Sequence, residues 1–381
     1  MNDRETLELL KLLVETESVT GNEGNIVEKL DSIFRSLGFK VVKTPSGCIC
    51  GVIEGEAEGP TVLIDGHIDT VGIPNREKWT YNPFTLTSVS GRLYGRGTSD
   101  MKGGVSAAIA AASSLMPLKK GRIVVACIVE EERFEGICAR EVSALFNPDY
   151  VIIAESTHGK LNIGQRGRCE VLLTAEGKSC HSSNPEEGEN AVFNAIKAIE
   201  AIETIAPGEH EILGKGIMVL TDIISVPYPG MSIVPEECRV TYDRRTLVGE
   251  TGESVIGPIN SLLREKGIKA RAEIAYGETV SYTGNRLSSS RFFPAWCYSE
   301  NDEIVRKSRA ALEDAGLFVG YGHYAFCTNG SHYGGEKGIP TIGYGPGEER
   351  LAHIVDEYIE ESDLYRVRRG MEAIIKTLLD D

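Results

Sequence analysis

The chain has 381 residues, of which 41% are hydrophobic and 25% charged, as is typical of a globular protein with a sizeable core. Its 40 Lys and Arg stand against 56 Asp and Glu, which gives a formal charge of -16. This acidic excess disfavours nucleic acid and anionic membranes as partners, because both select for basic surfaces. The length exceeds one ordinary core and predicts two domains.

The N-terminal stretch MNDRETLELLKLL is charged and amphipathic, so it does not predict a secretory signal. The sequence has no apolar run of about 18 residues, so it predicts no membrane-spanning helix. Its nine cysteines are scattered and include no C-x-x-C pair. Scattered cysteines in a large chain without a signal indicate a reducing compartment, and we expect a cytoplasmic protein.

The first part of the chain opens with helical spacing and continues as alternating strands and helices. In order, the pattern predicts helices 5–14 and 22–37, strands 41–42, 49–53 and 61–64, helix 107–115, and strands 122–129 and 150–154. Strands that alternate with helices predict a largely parallel, helix-covered sheet, hence an α/β fold.

The pattern changes near Glu170. It then predicts strand 171–175, helix 191–205, strands 217–224 and 233–242, helix 255–265 and strand 270–274. This β-α-β-β-α-β order is that of a small ferredoxin-like α+β sandwich. We therefore predict one domain made of 1–171 and 286–381, and an inserted domain at 172–285.

A possible metal ligand ends the third predicted strand, in the stretch TVLIDGHIDT. Residues two apart in an extended chain point the same way, so His67 and Asp69 share a face. An imidazole with a nearby carboxylate suits a metal ligand and the partner that orients it. The alternative is an ordinary strand-end histidine beside a capping aspartate.

Histidines and carboxylates occur at the other predicted strand ends and glycine-rich loops of the first domain. The full set is His67, Asp100, Glu132, Glu155 and His353. Imidazole and carboxylate are the ligands of catalytic zinc, whereas structural zinc favours cysteine. The set is too large for one open zinc site and suits two metals about 3.5–4 Å apart that share a carboxylate. The alternative for each residue is a solvated charge.

Taken together, the motifs resemble a known family. They are GHIDTV, GRGTSDMKGG, VEEE, GKSCHSSNP, IVPEECRVTYDRR and GIPTIGYGPG…AH. In this order they are similar to the co-catalytic zinc amidohydrolases and peptidases, which include acetylornithine deacetylase, succinyl-diaminopimelate desuccinylase, aminoacylase and glutamate carboxypeptidases. The resemblance spans nearly the whole chain. It implies a zinc-peptidase-like catalytic domain with a mixed, largely parallel sheet, and an inserted lid and dimerisation domain.

The resemblance also implies roles for the ligand set. His67 and Glu155 would bind one zinc ion, Glu132 and His353 the other, and Asp100 would bridge both. Two Zn²⁺ per chain are therefore expected, with Co²⁺ or Mn²⁺ suited to the same ligands.

Three further residues carry catalytic roles in the resemblance. Asp69 would stand behind the imidazole of His67, and Glu131 would be the general acid/base, a register supported by the family's glycine at Gly136. His181 would polarise the scissile carbonyl of the partner chain's site in a homodimer formed through 172–285. The alternatives are a solvated Glu131 and a surface histidine.

The family's pattern also implies a cis peptide bond after Asp100.

The predicted substrate-binding residues follow the family's pattern less closely than the predicted metal ligands. Arg245, in the D-x-R pattern of TYDRR, would bind a substrate carboxylate through its bidentate fork, unless it is an edge-strand arginine in an ion pair. Ser232 and Asn329 are further substrate-binding candidates. Ser232 replaces the family's asparagine, Asn329 its aspartate or serine, and Glu130 the leading aspartate of its acidic motif. These departures look closest to a less characterised hydrolase branch associated with selenium or nitrogen metabolism.

The sequence thus predicts a hydrolase of a C–N amide bond in a small N-acyl amino acid or short peptide that has a free carboxylate. A deacylase, or deacetylase, is the first interpretation, and a carboxypeptidase or dipeptidase is the alternative. A non-catalytic metal-binding relative is a third possibility, since a fold alone does not determine function. Glu131, His181 and Arg245 favour an enzyme, because a binding protein needs no general base.

Overall fold

A computed structural model describes residues 1–380 of the chain. The chain divides into two compact units. The first unit consists of Met1–Gln165, Glu278–Ser288 and Trp296–Asp381, and the second of Arg166–Gly277 and Ser289–Ala295. A search of the described residues finds no helix with the length and apolar character needed to span a bilayer.

The described residues contain helices interspersed with runs of strands. The α-helices are α1 Asp3–Val14, α2 Gly24–Ser36, α3 Gly103–Ser114, α4 Ala139–Phe146, α5 Ala191–Ile202, α6 Gly252–Glu265, α7 Glu303–Asp314 and α8 Glu361–Leu379. The strands are β1 Lys40–Lys43, β2 Ile49–Glu54, β3 Ala57–His67, β4 Thr87–Val89, β5 Arg92–Tyr94, β6 Lys120–Ile128, β7 Tyr150–Ile153, β8 Leu161–Gln165, β9 Gly167–Glu176, β10 Glu209–His210, β11 Gly214–Lys215, β12 Ile217–Val226, β13 Glu237–Thr246, β14 Ala270–Ile274, β15 Tyr276–Val280, β16 Arg286–Ser290, β17 Phe292–Phe293, β18 Trp296–Cys297, β19 Tyr321–Tyr324, β20 Thr341–Gly343 and β21 Tyr358–Glu360.

The first unit is built on a mixed sheet with the strand order β1-β2-β6-β3-β7-β20-β8-β18. Its centre is parallel, because β3 pairs in parallel with both β6 and β7, and β7 with β20. The end of β3, from Thr61 to His67, is buried throughout, which explains its continuous apolar run. The predicted mixed, largely parallel α/β sheet is confirmed, and its parallel strands bring their carboxyl ends to one edge.

A glycine allows α3 to approach that edge closely. A Cβ atom at Gly104 would lie 2.0 Å from the main-chain oxygen of Ala154, just beyond β7. Only a residue without a side chain fits there. Asp100 precedes α3 and Glu155 follows Ala154, so this approach brings the two predicted ligands together.

The second unit contains a four-stranded antiparallel sheet with the order β12-β13-β9-β14, and β17 adds to β9. Alternate residues of β9 and β13 form its core with apolar residues of α5 and α6. The succession β9-α5-β12-β13-α6-β14 is the β-α-β-β-α-β order that the sequence predicts.

The bounds of this unit differ from the predicted insert 172–285. It begins at Arg166, because β9 pairs with β13 from Gly167 onward. Residues Glu278–Ser288 group with the first unit, where Asn285 donates to the hydroxyl of Ser46 at 2.9 Å. The strand predicted from residue 233 starts only at residue 237, since the segment before it has left-handed backbone at Ser232 and a proline.

The close approach at Gly104 can be tested by mutation. Gly104→Ala should lower the free energy of unfolding by about 1–3 kcal/mol, because its methyl group would overlap the carbonyl of Ala154. Denaturant unfolding followed by circular dichroism measures this change. Gly72→Ala is the control, since a Cβ there meets nothing within 4 Å. Equal stability of the two variants would contradict the close approach.

Candidate active site

His67 ends β3 and lies at the centre of a group of polar side chains in the first unit. It is buried, and its Nε2 atom lies 2.9 Å from a carboxylate oxygen of Asp100 and 3.4 Å from one of Glu155. Its Nδ1 atom is 2.8 Å from the main-chain oxygen of Asp69 and 3.6 Å from that residue's carboxylate. The sequence predicts that the carboxylate of Asp69 lies behind the ring, but the main-chain oxygen of Asp69 is closer. Asp69 lies beyond the end of β3, so the strand geometry assumed for it does not apply.

Asp100 lies between two imidazoles. Its Oδ1 atom faces His67, and its Oδ2 atom is 3.1 Å from Nε2 of His353. The turn that carries it begins at Gly97, which has a φ of 85°, and the peptide bond from Asp100 to Met101 is cis, as the family resemblance implies. The geometry places one carboxylate where it can serve two cations.

Glu132 and His353 meet on the other side of Asp100. The Nε2 atom of His353 lies 2.9 Å from a carboxylate oxygen of Glu132. The His353 side chain is 52% exposed, whereas Asp100 and Glu132 are largely buried. This side of the group is therefore open to solvent within the first unit.

Glu131 is buried beside the same group. Its Oε1 atom has no hydrogen-bond partner among the described residues. Ligand atoms of His67, Glu131 and Glu155 lie within 4.8 Å of one another, as do those of His67, Asp100 and Glu132. An unpartnered buried carboxylate oxygen at such a point is costly unless a cation, a proton or a water molecule meets it.

Asp69 holds the turn that carries Glu131 and Glu132. Its carboxylate accepts the main-chain N–H of Glu131 at 3.2 Å and that of Glu132 at 3.1 Å. The hydroxyl of Thr20 donates to the same carboxylate at 2.9 Å. These bonds fix the direction in which both glutamates leave the main chain.

The pKa values show how closely these charges are packed. Burial, followed by the charge of Asp100, raises the pKa of Glu155 to about 7. Burial also raises the pKa of Glu131 well above its ordinary value, and the attraction of His67 only partly offsets this. Burial would lower the pKa of His67, but the carboxylates of Glu155 and Asp100 outweigh it and raise that pKa.

Asp100 shows the opposite direction. Burial would raise its pKa, but hydrogen bonds from His353 and His67 outweigh burial and hold the pKa below its usual range. Hydrogen bonds to Asp100 and Glu132 raise the pKa of His353 to about 10. The group therefore needs bound positive charge, which divalent ions supply. Its nitrogen and oxygen donors are those of catalytic zinc, so the residues present fit such ions.

Glu357 is a residue of this region that the sequence does not single out. Its carboxylate is buried and accepts the main-chain N–H groups of Gly97, Ser99 and Asp100 at 2.8–3.1 Å. Arg96 donates to it at 2.7 Å. Glu357 thus holds the turn of Asp100 in place. Its position shortly after His353 is the only signal in the sequence, and acidic residues in loops are too common to be informative.

The other predicted residues are not all part of this group. His181, Ser232 and Arg245 belong to the second unit. Asn329 lies in the first unit but is buried, and its amide donates to Asp65 at 2.9 Å and accepts the N–H of Gly136 at 2.8 Å. Its amide is thus used by the protein in this conformation.

Within the second unit, His181 and Ser232 are neighbours. The N–H of Ser182 donates to the main-chain oxygen of Ser232 at 2.9 Å, next to the bridge between His181 and Ile233. The Nδ1 atom of His181 accepts the N–H of Ser183 at 3.1 Å. A neutral His181 therefore carries its proton on Nε2, which leaves that nitrogen as a donor.

The two arginines of TYDRR lie on opposite faces of β13. Arg244 is buried and donates to Glu250 and to the main-chain oxygen of Ile217. The side chain of Arg245 is 27% exposed, and its Nε lies 2.9 Å from Asp243. The ion pair considered for Arg245 is thus present, yet Arg245 is the more accessible of the two.

Known proteins resemble this chain in sequence and in fold. The model of the family described as "Peptidase family M20/M25/M40" matches residues 63–377. The chain belongs to this peptidase family. The uncharacterized protein YgeY of Escherichia coli (strain K12) is 32% identical over 367 residues, which cover 93% of this chain and 90% of that protein. A "Probable succinyl-diaminopimelate desuccinylase" of Staphylococcus aureus (strain MSSA476) is 27% identical over 403 residues, which cover 96% of this chain and 95% of that one.

A solved structure shares the fold. It is a tripeptidase from Staphylococcus aureus subsp. aureus mu50, with a TM-score of 0.78, 20% identity and 100% coverage of both chains. The resemblance predicted from the motifs is confirmed. The protein is a metal-dependent hydrolase of amide or peptide bonds, and the roles of its individual residues stay predictions.

The importance of Glu357 can be measured directly. Glu357→Gln should weaken zinc affinity about 10- to 100-fold, because an amide NH₂ would face N–H donors and Arg96 would lose its counter-charge. Competition with a chelator measures this affinity. Glu360→Gln is the control, since the half-exposed side chain of Glu360 pairs with the exposed side chain of Arg92 at 2.9 Å, away from the turn of Asp100. Equal affinities in both variants would contradict the role of Glu357.

Proposed function

We propose that the protein hydrolyses the C–N amide bond of a small N-acyl amino acid that has a free carboxylate, with two zinc ions as cofactors. The observation that carries this proposal is the group formed by two imidazoles and three carboxylates beside the buried Glu131, whose Oε1 atom has no hydrogen-bond partner among the described residues. Cobalt or manganese would suit the same donors.

The contacts support a division of the ligands between two ions. His67 and Glu155 would hold one ion, Glu132 and His353 the other, and Asp100 would serve both, since each of its oxygens faces a different histidine. Zinc bound here would supply Lewis-acid chemistry, which polarises an amide carbonyl and makes a nucleophilic water more acidic.

Glu131 is the proposed general acid/base. It would take the proton from the attacking water and give it to the leaving nitrogen. Its buried carboxylate has a raised pKa, which suits a group that must hold a proton during the reaction. Asp69 would keep Glu131 in position through the N–H groups that it accepts.

The second unit would complete the site as a lid. His181 would donate from Nε2 to the carbonyl oxygen as negative charge develops there. Arg245 would bind the substrate carboxylate, and its bond to Asp243 would hold the guanidinium in a fixed direction. Ser232, beside His181, and Asn329 remain the further candidates for substrate contact. The name of the desuccinylase relative supports a deacylase over a peptidase.

A substrate screen tests this proposal. The zinc-loaded protein should release free amino acid from some N-acyl amino acids, and Glu131→Ala should lower kcat about 10²- to 10⁴-fold with both ions retained. Mass spectrometry of products and elemental analysis measure the two quantities. Hydrolysis of dipeptides without any deacylation would favour the dipeptidase alternative.

Glu132→Ala is the matched variant for Glu131→Ala. It removes a proposed ligand, so it should lower the metal content below two ions per chain. Loss of metal in Glu131→Ala but not in Glu132→Ala would show that the register of the two glutamates is shifted by one. Full activity with a single tightly bound ion would contradict the two-metal mechanism.

A homodimer through the second unit is the second part of the proposal. Strand β12 lies at the edge of its sheet, where Val219 is 50% exposed and Ile223 and Ile224 are each 45% exposed. An apolar sheet edge of this kind can pair with a copy of itself across a twofold axis. Such pairing would let each His181 act in the partner's site. The cytoplasmic location stays a prediction from the cysteines.

Complementation tests this arrangement. Heterodimers of His181→Ala and Glu131→Ala chains should recover about half of the wild-type activity per dimer, because one of the two sites regains both groups. Two different tags allow the heterodimer to be purified and assayed. Each variant homodimer serves as a control and should be inactive. An inactive heterodimer, or a monomer by light scattering, would show that His181 does not act across a dimer.

A further inference from the structure

Glu130 precedes the proposed acid/base and has a different environment from the two glutamates that follow it. Its side chain is fully buried. Neither group of potential metal-binding side chains in residues 1–380 includes it. A buried carboxylate away from the ligands needs partners of its own, and the structure supplies several.

The partners of Glu130 come from separate parts of the chain. The hydroxyl of Thr279 donates to its Oε2 atom at 2.6 Å, and the guanidinium of Arg133 donates to the same atom at 3.1 Å. Arg133 also donates to the hydroxyl of Thr279 at 3.1 Å. Thr279 is thus the bridging group, since it donates to one side chain and accepts from the other.

The main chain at Glu130 is equally constrained. Its φ is 62°, in the left-handed region that residues with a side chain seldom adopt. Its N–H donates to the carboxylate of Glu23 at 3.2 Å. The next two N–H groups, of Glu131 and Glu132, donate to Asp69. The unfavourable backbone conformation of Glu130 therefore accompanies the turn that directs the side chains of Glu131 and Glu132.

The same network returns to Asp69. Arg133 donates to the main-chain oxygen of Thr20 at 3.1 Å, and the hydroxyl of Thr20 donates to Asp69 at 2.9 Å. One turn, Glu130 to Glu132, is therefore held at both ends. The side-chain bonds of Glu130 hold its start, and the N–H bonds to Asp69 hold the two residues that follow. Removal of one of these bonds should alter the direction of Glu131 and Glu132.

We propose that Glu130 is a positioning residue and that its bond from Thr279 sets the geometry of the acid/base and the adjacent ligand. This inference rests on the proposed function, because it assigns Glu130 a role toward Glu131 and Glu132. Glu130 would act through its two neighbours rather than by touching substrate or metal. Thr279 lies in the segment Glu278–Ser288, where the chain re-enters the first unit after the second, so the turn depends on a part of the chain distant in sequence.

Thr279→Val is the decisive variant, because it keeps the shape of the side chain and removes the hydroxyl. Thr283→Val is the matched control. It lies in the same segment, and its hydroxyl donates to the main-chain oxygen of Pro45 at 2.8 Å, away from Glu130. Glu130→Gln is the second variant, and it keeps the size of the side chain while removing its charge.

The measurements are the visible absorption spectrum of the Co²⁺-loaded protein, its metal content, and kcat and KM with the best substrate of the screen. Thr279→Val and Glu130→Gln should change the Co²⁺ spectrum and lower kcat about 10- to 100-fold, with little change in KM. Thr283→Val should match the wild type in spectrum and kinetics. Circular dichroism and thermal unfolding establish that each variant is folded.

A wild-type spectrum and kcat in folded Thr279→Val would overturn the inference and leave Glu130 as an ordinary buried ion pair. The spectrum needs no substrate, so it tests the inference even if no amide is hydrolysed. A wild-type protein that binds cobalt but cleaves no substrate would contradict the proposed function alone. An equal loss of stability in Thr283→Val and Thr279→Val, with both Co²⁺ spectra unchanged, would also contradict the positioning role of Glu130.

Discussion

The central constraint on this protein is the repulsion among the carboxylates at the carboxyl ends of β3, β6 and β7. Asp100, Glu131, Glu132 and Glu155 are all largely buried within a few ångströms of His67. Burial raises the pKa of Glu131 and Glu155, which means that their charged forms are disfavoured without bound positive charge. Bound divalent ions would meet that need, so stability and chemistry would then depend on the same interaction.

The fold brings these groups together largely through backbone N–H donors, and Arg96 adds one buried cation beside Glu357. Glu357 accepts the N–H groups of the Asp100 turn, and Asp69 accepts those of Glu131 and Glu132. Each buried acid therefore organises a turn whose own side chains then face the site. A carboxylate that accepts several N–H bonds is satisfied without a metal, which separates these supporting acids from the proposed ligands.

The main strands and helices of the first unit could be predicted from the sequence, because its central strands are continuous apolar runs that end in polar motifs. The helix expected at 5–14 lies within α1, and the glycine-rich stretch before Asp100 is a tight turn with a cis bond. Glu357 and Glu130 could not be recognised in the same way. Their roles come from bonds to N–H groups and hydroxyls far away in the chain, and local pattern carries no signal for such partners.

The sequence by itself determined the family and the α/β class and predicted a set of ligand residues, because motifs and strand periodicity are local properties of the chain. The tertiary structure alone decided which oxygen of Asp100 faces which histidine, and that the main chain of Asp69 is closest to His67. It also decided where the second unit begins, since pairing between β9 and β13 is a long-range property. Local spacing cannot specify such distances, which depend on how distant segments pack.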